Sequence, residues 1–133
     1  MKQSLALVTL VVRDYDEALD FYVNVLGFRL LEDTPLTPEK RWVRVAPRGG
    51  GGCQLLLARA ADERQRSRVG DQTGGRVAFF LHTDDFDADY ANLLKNSVPI
   101  VREPRREPYG RVLVFRDLYG NLWDLIEPAV ADS

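Results

Sequence analysis

One order of elements occurs twice along this chain, and that repeat restricts the fold more than any other feature of the sequence. Leu5 to Val12 is a continuous apolar, partly β-branched run of strand length. Asp14-Tyr15-Asp16 follows as a turn and helix start, with the Asp16 carboxylate expected to cap the free N–H groups of the first turn. Ala18, Phe21, Tyr22, Val25 and Leu26 then recur at helical spacing, and Gly27 stops the helix. Strands are expected at Phe28 to Glu32, Arg41 to Val45 and Cys53 to Ala58. Residues 33 to 40 hold two Thr-Pro pairs and read as a loop, and Arg48 to Gly52 carries four glycines in a row.

The second pass repeats this order. Arg76 to Thr83 reads as a strand, Asp85-Phe86-Asp87 as a cap, and Tyr90, Leu93 and Leu94 as a helical stripe. Strands follow at Val98 to Arg102, Arg111 to Arg116 and Leu122 to Ile126. A loop is expected at Glu103 to Gly110 and a turn at Asp117 to Asn121. Asp14-Tyr15-Asp16 matches Asp85-Phe86-Asp87 at an offset of 71 residues, and Pro38 to Val45 matches Pro108 to Phe115 at 70. At the same offset of 70, Gln54 aligns with Asp124. The modules run from about 4 to 58 and 76 to 128 within a single domain. A connector spans 59 to 75 and is expected to be partly helical near Asp62 to Arg68. Ala129 to Ser133 is expected to fray.

The implied fold class is α+β: two tandem βαβββ modules forming a curved mixed sheet, with the helices on its outer face. The opposite, concave face is a natural small-molecule site. Side chains two apart on a strand share a face. Leu7, Thr9 and Val11 form one such set, and Arg76, Ala78, Phe80 and His82 another. Gln54 goes with Leu56, and Asp124 with Ile126. Periodicity leaves open which sets face the helices.

Composition narrows the function. The chain has 133 residues, 45% apolar and 29% charged, with a formal net charge of -2 and interspersed signs. A nucleic-acid or anionic-membrane binder needs a concentrated basic surface, so neither partner is expected. The single cysteine, Cys53, makes no internal disulfide, and its place before Leu55 to Leu57 reads as strand packing rather than as a reactive thiol. No apolar stretch approaches 18 residues, so a cytoplasmic protein is the expectation.

The segment from Val12 to Tyr22, VRDYDEALDFY, continuing to Leu26-Gly27-Phe28, resembles the opening module of vicinal oxygen chelate proteins (glyoxalase, bleomycin resistance protein, extradiol dioxygenase). Asp117-Leu118-Tyr119-Gly120-Asn121-Leu122-Trp123-Asp124-Leu125 resembles their closing D-P-x-G-N-x-x-E-L motif. The two motifs lie about 100 residues apart, and the resemblance covers essentially the whole chain. It implies homodimer formation and, in metal-dependent members, one divalent ion held by side chains on the first, fourth, fifth and eighth strands. There the ion acts as a Lewis acid or as an oxygen and catechol site.

Those positions fall here on Leu7, Gln54, Arg76 (or Ala78 if the strand slips by two) and Asp124. Leu7 has no ligand atom, and Arg76 brings a permanent positive charge. Gln54 and Asp124 keep oxygens, and His82, the only histidine, is a further metal candidate. No cofactor is therefore expected, with a divalent metal as the alternative.

The expected ligand-binding residues are Gln54, Arg76, Phe80, Tyr109, Trp123 and Asp124. Arg76 and Asp124 read equally as a functional charge pair or a structural salt bridge. His82, beside Thr83-Asp84-Asp85, reads as a strand-end residue, with a general base as the alternative. Arg102, Arg105, Arg106 and Arg111 are interleaved with Glu103 and Glu107 and read as a solvated face, with Glu127 at the surface. The leading functional expectation is a metal-independent small-molecule binder of the drug-sequestering type. Its alternatives are a metal-dependent glyoxalase-like lyase or dioxygenase, and a structural dimer module without a ligand.

Overall fold

The computed structural model describes residues 1–130. Ala131, Asp132 and Ser133, part of the segment expected to fray, lie outside the described residues. The chain forms two compact units, one from Met1 to Val69 and one from Gly70 onward.

In the first unit, β1 (Leu7–Val12) leads into α1 (Tyr15–Leu19), which widens into a π-helical stretch over Asp20–Val25. β2 (Arg29–Pro35), β3 (Arg41–Ala46), β4 (Gln54–Arg59) and the short α2 (Glu63–Arg66) follow. The sheet order is β1-β4-β3-β2, with β1 and β4 parallel and the other neighbours antiparallel. The helix cap is Asp14, not Asp16: its Oδ2 accepts from the Glu17 N–H at 2.9 Å. Asp16 instead pairs with Arg41 at 2.9 Å. At the far end, Phe28 N donates to the Tyr22 carbonyl at 2.8 Å across Gly27, whose φ of +79° suits glycine. Leu10, Val12, Val43, Val45, Leu55 and Leu57 are buried on one sheet face. Each contributes on the order of 1.5–3 kcal/mol.

The second unit repeats the plan. β5 (Val77–His82), α3 (Phe86–Lys95), β6 (Ile100–Glu107), β7 (Gly110–Arg116) and β8 (Leu122–Pro128) form a sheet of order β5-β8-β7-β6. Its strongest core lies around Phe86, Leu93, Leu113, Phe115, Trp123 and Leu125. Asp85 caps α3 by accepting from Ala88 N at 3.1 Å.

Four expectations change here. β2 runs on to Pro35, and β6 runs on to Glu107, where a loop was expected. Proline is tolerated because both strands are sheet edges, and Pro104 sits between Arg102 and Arg105, where the ladder slips. Cys53 is exposed just before β4 rather than packed in it. Glu127 is half-buried and accepts from Phe86 N at 3.3 Å, which ties β8 to the start of α3.

Candidate functional site

Strand register in the second unit sets out a small grid. Arg102, Val114, Asp124 and Phe80 are successive partners across β6, β7, β8 and β5. Arg105, Val112, Ile126 and His82 form the row beside them. Strands lie about 4.8 Å apart, so Arg102 and Phe80 stand roughly 14 Å apart along their row. The alternate residues Leu113, Phe115, Trp123 and Leu125 point the other way and are core. The grid has a cationic edge, an apolar middle of Val112, Val114 and Ile126, and an edge with Phe80 (63% exposed) and His82.

Asp124 sits among these groups, half-buried. Burial pushes its carboxyl above the ordinary range, while Arg105 and Arg102 pull it down less strongly. Arg105 donates through Nε to Glu107 at 2.9 Å. Its Nη1 is buried with no hydrogen-bond partner among the described residues. A buried donor in that condition carries a desolvation penalty that an incoming oxygen would relieve.

The first unit places different chemistry on the corresponding face. Arg44 on β3 joins its neighbours into one chain: Nε donates to Glu32 at 3.1 Å, and Nη1 to the Gln54 Oε1 at 2.5 Å. Trp42, two residues before Arg44, shares its face and is half-buried. Beyond it opens a cleft of about 550 Å³, lined by Trp42, Leu56, Ala58 and Tyr15 together with residues of the β2–β3 connection and of α2. Arg41 stiffens one wall. It grips Asp33 with two nitrogens, at 3.0 and 2.6 Å, and lies 5.1 Å from the centre of the Tyr15 ring. That pairing holds the Asp33 carboxyl below the usual range.

The expected site residues are distributed as follows. Phe80, His82 and Asp124 share one face of the second sheet, and Gln54 lies on the first. Arg76 is exposed in the bend before β5, not in the strand, and no ion pair joins it to Asp124 among the described residues. The cations acting on Asp124 are Arg105 and Arg102, which had read as part of a solvated face. Trp123 is 3% exposed on the opposite face of β8, packed between Phe79 and Phe115. Tyr109 is exposed at the β6–β7 turn, one residue beyond Gly110–Pro128, the fourth rung from the Val114–Asp124 pair. No carboxylate hydrogen-bonds His82 among the described residues; Thr83 Oγ1 instead donates to Asp89 at 2.5 Å.

The residues present do not fit the divalent ion that the resemblance implies. Gln54 stands beside Leu7 on the ladder and has its oxygen engaged by a guanidinium. Asp124 stands beside Phe80 and Val114 under the influence of two more arginines. Among the described residues, no three His, Cys, Asp or Glu side chains come together as a metal cluster. The Gln54 oxygen is thus taken by arginine, and a cation placed beside either donor would meet the like charge of nearby guanidiniums.

Residues 4–125 match the model of the Glyoxalase/Bleomycin resistance protein/Dioxygenase superfamily. The chain belongs to that superfamily. A protein of Shewanella frigidimarina (strain NCIMB 400) is 54% identical over 96% of this chain and 95% of its own length. Among solved structures, UcmS2 is 31% identical with a TM-score of 0.82, covering 96% of this chain and 99% of that one. TnmS3, an antibiotic binding protein from Streptomyces sp. CB03234, is 33% identical with a TM-score of 0.77, covering 96% and 98%. No helix among the described residues is long and apolar enough to cross a membrane.

Sequence reasoning missed the two features that colour these faces most. The Arg44–Gln54 bond was within reach, since the alternation of Arg41 to Val45 already puts Trp42 and Arg44 on one side. Arg102 and Arg105 were not, because a ladder slip around Pro104 decides where they stand.

Proposed function

We propose that this member of the superfamily binds a small, flat organic molecule of antibiotic type and does so without a metal centre. The observation that carries the reading is the Arg44 guanidinium bonded to the Gln54 oxygen, with Asp124 half-buried among apolar neighbours and Arg102 on its row of the sheet. The antibiotic-binding relative TnmS3, similar over nearly its whole length, supports the choice of ligand class. Within the first unit Gln54 and Trp42 are the candidate ligand contacts in this reading, within the second unit Phe80 and Asp124 are, and Trp123 is left to the core. Homodimer formation and a cytoplasmic location belong to the same proposal as properties expected of the superfamily.

Two measurements on the purified protein test it. Titration with a panel of flat polycyclic antibiotics, followed by tryptophan emission, is expected to give saturable quenching that the Trp42→Phe variant largely loses. Elemental analysis is expected to give the same metal content in the wild-type protein and in a Gln54→Ala/Asp124→Ala variant. Stoichiometric Ni, Zn, Mn or Fe that disappears in the double variant overturns the metal-free reading in favour of a lyase or dioxygenase. A panel with no saturable binder removes the antibiotic.

A further inference from the structure

The first unit's cleft is built for charge as well as for shape. Four cations line it, Lys40, Arg41, Arg59 and Arg66, against one carboxylate, Glu39. Arg41 is neutralised by Asp33 and Asp16, and Arg66 by Glu63 at 3.3 Å. Lys40 and Arg59 form no ion pair among the described residues. Lys40 lies in the β2–β3 connection and Arg59 at the end of β4, and both line this one cleft. Two exposed cations without an ion pair among the described residues therefore line a cleft whose wall also holds Trp42, Tyr15, Leu56 and Ala58. Its volume of about 550 Å³ is that of a small-molecule site.

We propose that this cleft takes a flat aromatic molecule bearing one oxyanion, with the ring system against Trp42 and the acid group on Lys40 and Arg59. The proposal rests on the small-molecule reading above, and adds to it a place and a ligand class. An aromatic face and an aliphatic floor favour a planar apolar body. With Arg41 and Arg66 neutralised, Lys40 and Arg59 outnumber the one remaining carboxylate, Glu39, and select the head group. Charge-assisted hydrogen bonds to an oxyanion are stronger than neutral ones by enough to separate an acid from its neutral isostere.

Naphthalene sulfonate and naphthalene sulfonamide are a matched pair of probes, nearly equal in shape and different in charge at neutral pH. Calorimetry and Trp42 quenching on the full chain are expected to show the sulfonate binding about tenfold more tightly at low salt. A Lys40→Gln/Arg59→Gln variant is expected to bind the two probes equally, with the sulfonamide affinity unchanged and the same circular dichroism as wild type. Both replaced side chains are exposed, so a loss of folding is not the expected cause of any change. Equal binding of the probes to the wild type, or a preference that survives in the double variant, overturns this inference and leaves the small-molecule reading standing. Failure of both probes and of the antibiotic panel overturns the two together.

Discussion

The two sheets are joined to their last strands in opposite ways. Seven residues, 47 to 53, connect β3 to β4, and five, 117 to 121, connect β7 to β8. The longer connection is exposed from residue 48 onward and has Gly49, Gly50, Gly51 and Gly52 all at positive φ. The shorter one closes around a single side chain. Asp117 is 4% exposed, and its Oδ1 accepts from the backbone N–H groups of Tyr119, Gly120 and Asn121 at 3.1, 3.0 and 2.9 Å. Its Oδ2 accepts from Asn121 Nδ2 at 3.0 Å and from the Trp123 indole at 3.2 Å. The closing motif of the superfamily is thus, in this chain, a hydrogen-bonded knot that delivers Trp123 to the aromatic core and Asp124 to the opposite face of the sheet.

Replacing Asp117 breaks that contrast most strongly. Asp117→Ala leaves several buried donors unsatisfied at once, and each costs about 1–3 kcal/mol. The expected loss is therefore about 3 kcal/mol or more, read from urea denaturation, together with a red shift of tryptophan emission as Trp123 loosens. Asp117→Asn keeps an oxygen and should recover part of the loss. An Asp117→Ala protein as stable as wild type would mean that the turn is held by backbone geometry alone.

Glycine substitution sharpens the same comparison at a smaller scale. Gly51 has φ +69° and nothing near a built Cβ, so Gly51→Ala carries only the left-handed backbone cost, about 1 kcal/mol. Gly70 has φ +80°, and a Cβ there would run into the Tyr119 carbonyl of the knotted turn. Gly70→Ala is expected to lose about 2 kcal/mol, intermediate between the other two variants. Equal losses at Gly51 and Gly70 would remove the difference in order between the two connections.

The two-residue difference in length also explains what could and could not be read from the sequence. The repeat of elements was legible because strand and helix periodicities are local, and an offset of 70 or 71 relates the starts of the first strands, the helices and the second strands, and Arg41 to Arg111. It fails after the glycine loop. Val114 pairs with Asp124, whereas its counterpart Arg44 pairs with Leu56, so the eighth strand matches the fourth at an offset of 68. Gln54 and Asp124, aligned by sequence, are therefore not equivalent positions. The equivalents are Leu56, which lines the first unit's cleft, and Asp124, which carries the second face's acid. The cap was misread by two residues because Asp14 and Asp16 are chemically alike; Asp14 caps the helix, and Asp16 pairs with Arg41, distant in sequence. Arg105 could not be assigned from a pattern of alternating Arg and Glu, since its place depends on how an edge strand accommodates Pro104.

The smallest expected effects come from two aspartates whose carboxyls are displaced in opposite directions. Asp33 is held low, first by its hydrogen bonds from Arg41, so it contributes stability above the unfolded pKa of about 3.9. That contribution disappears as pH falls through the depressed folded value. Asp124 is held high by burial, so its contribution is present below about 3.9 and is lost as pH rises through the raised folded value. At pH 7, Asp33→Asn should therefore lower stability, by on the order of 1 kcal/mol or less for so exposed a pair. Asp124→Asn should raise stability at the same pH. Both differences from wild type should shrink as urea midpoints are followed down toward pH 3. If Asp124→Asn were destabilising at pH 7, the charges of Arg102 and Arg105 would outweigh burial. The second face would then hold a fixed ion pair like that of Arg41 and Asp33, rather than an acid whose charge is costly and open to a ligand.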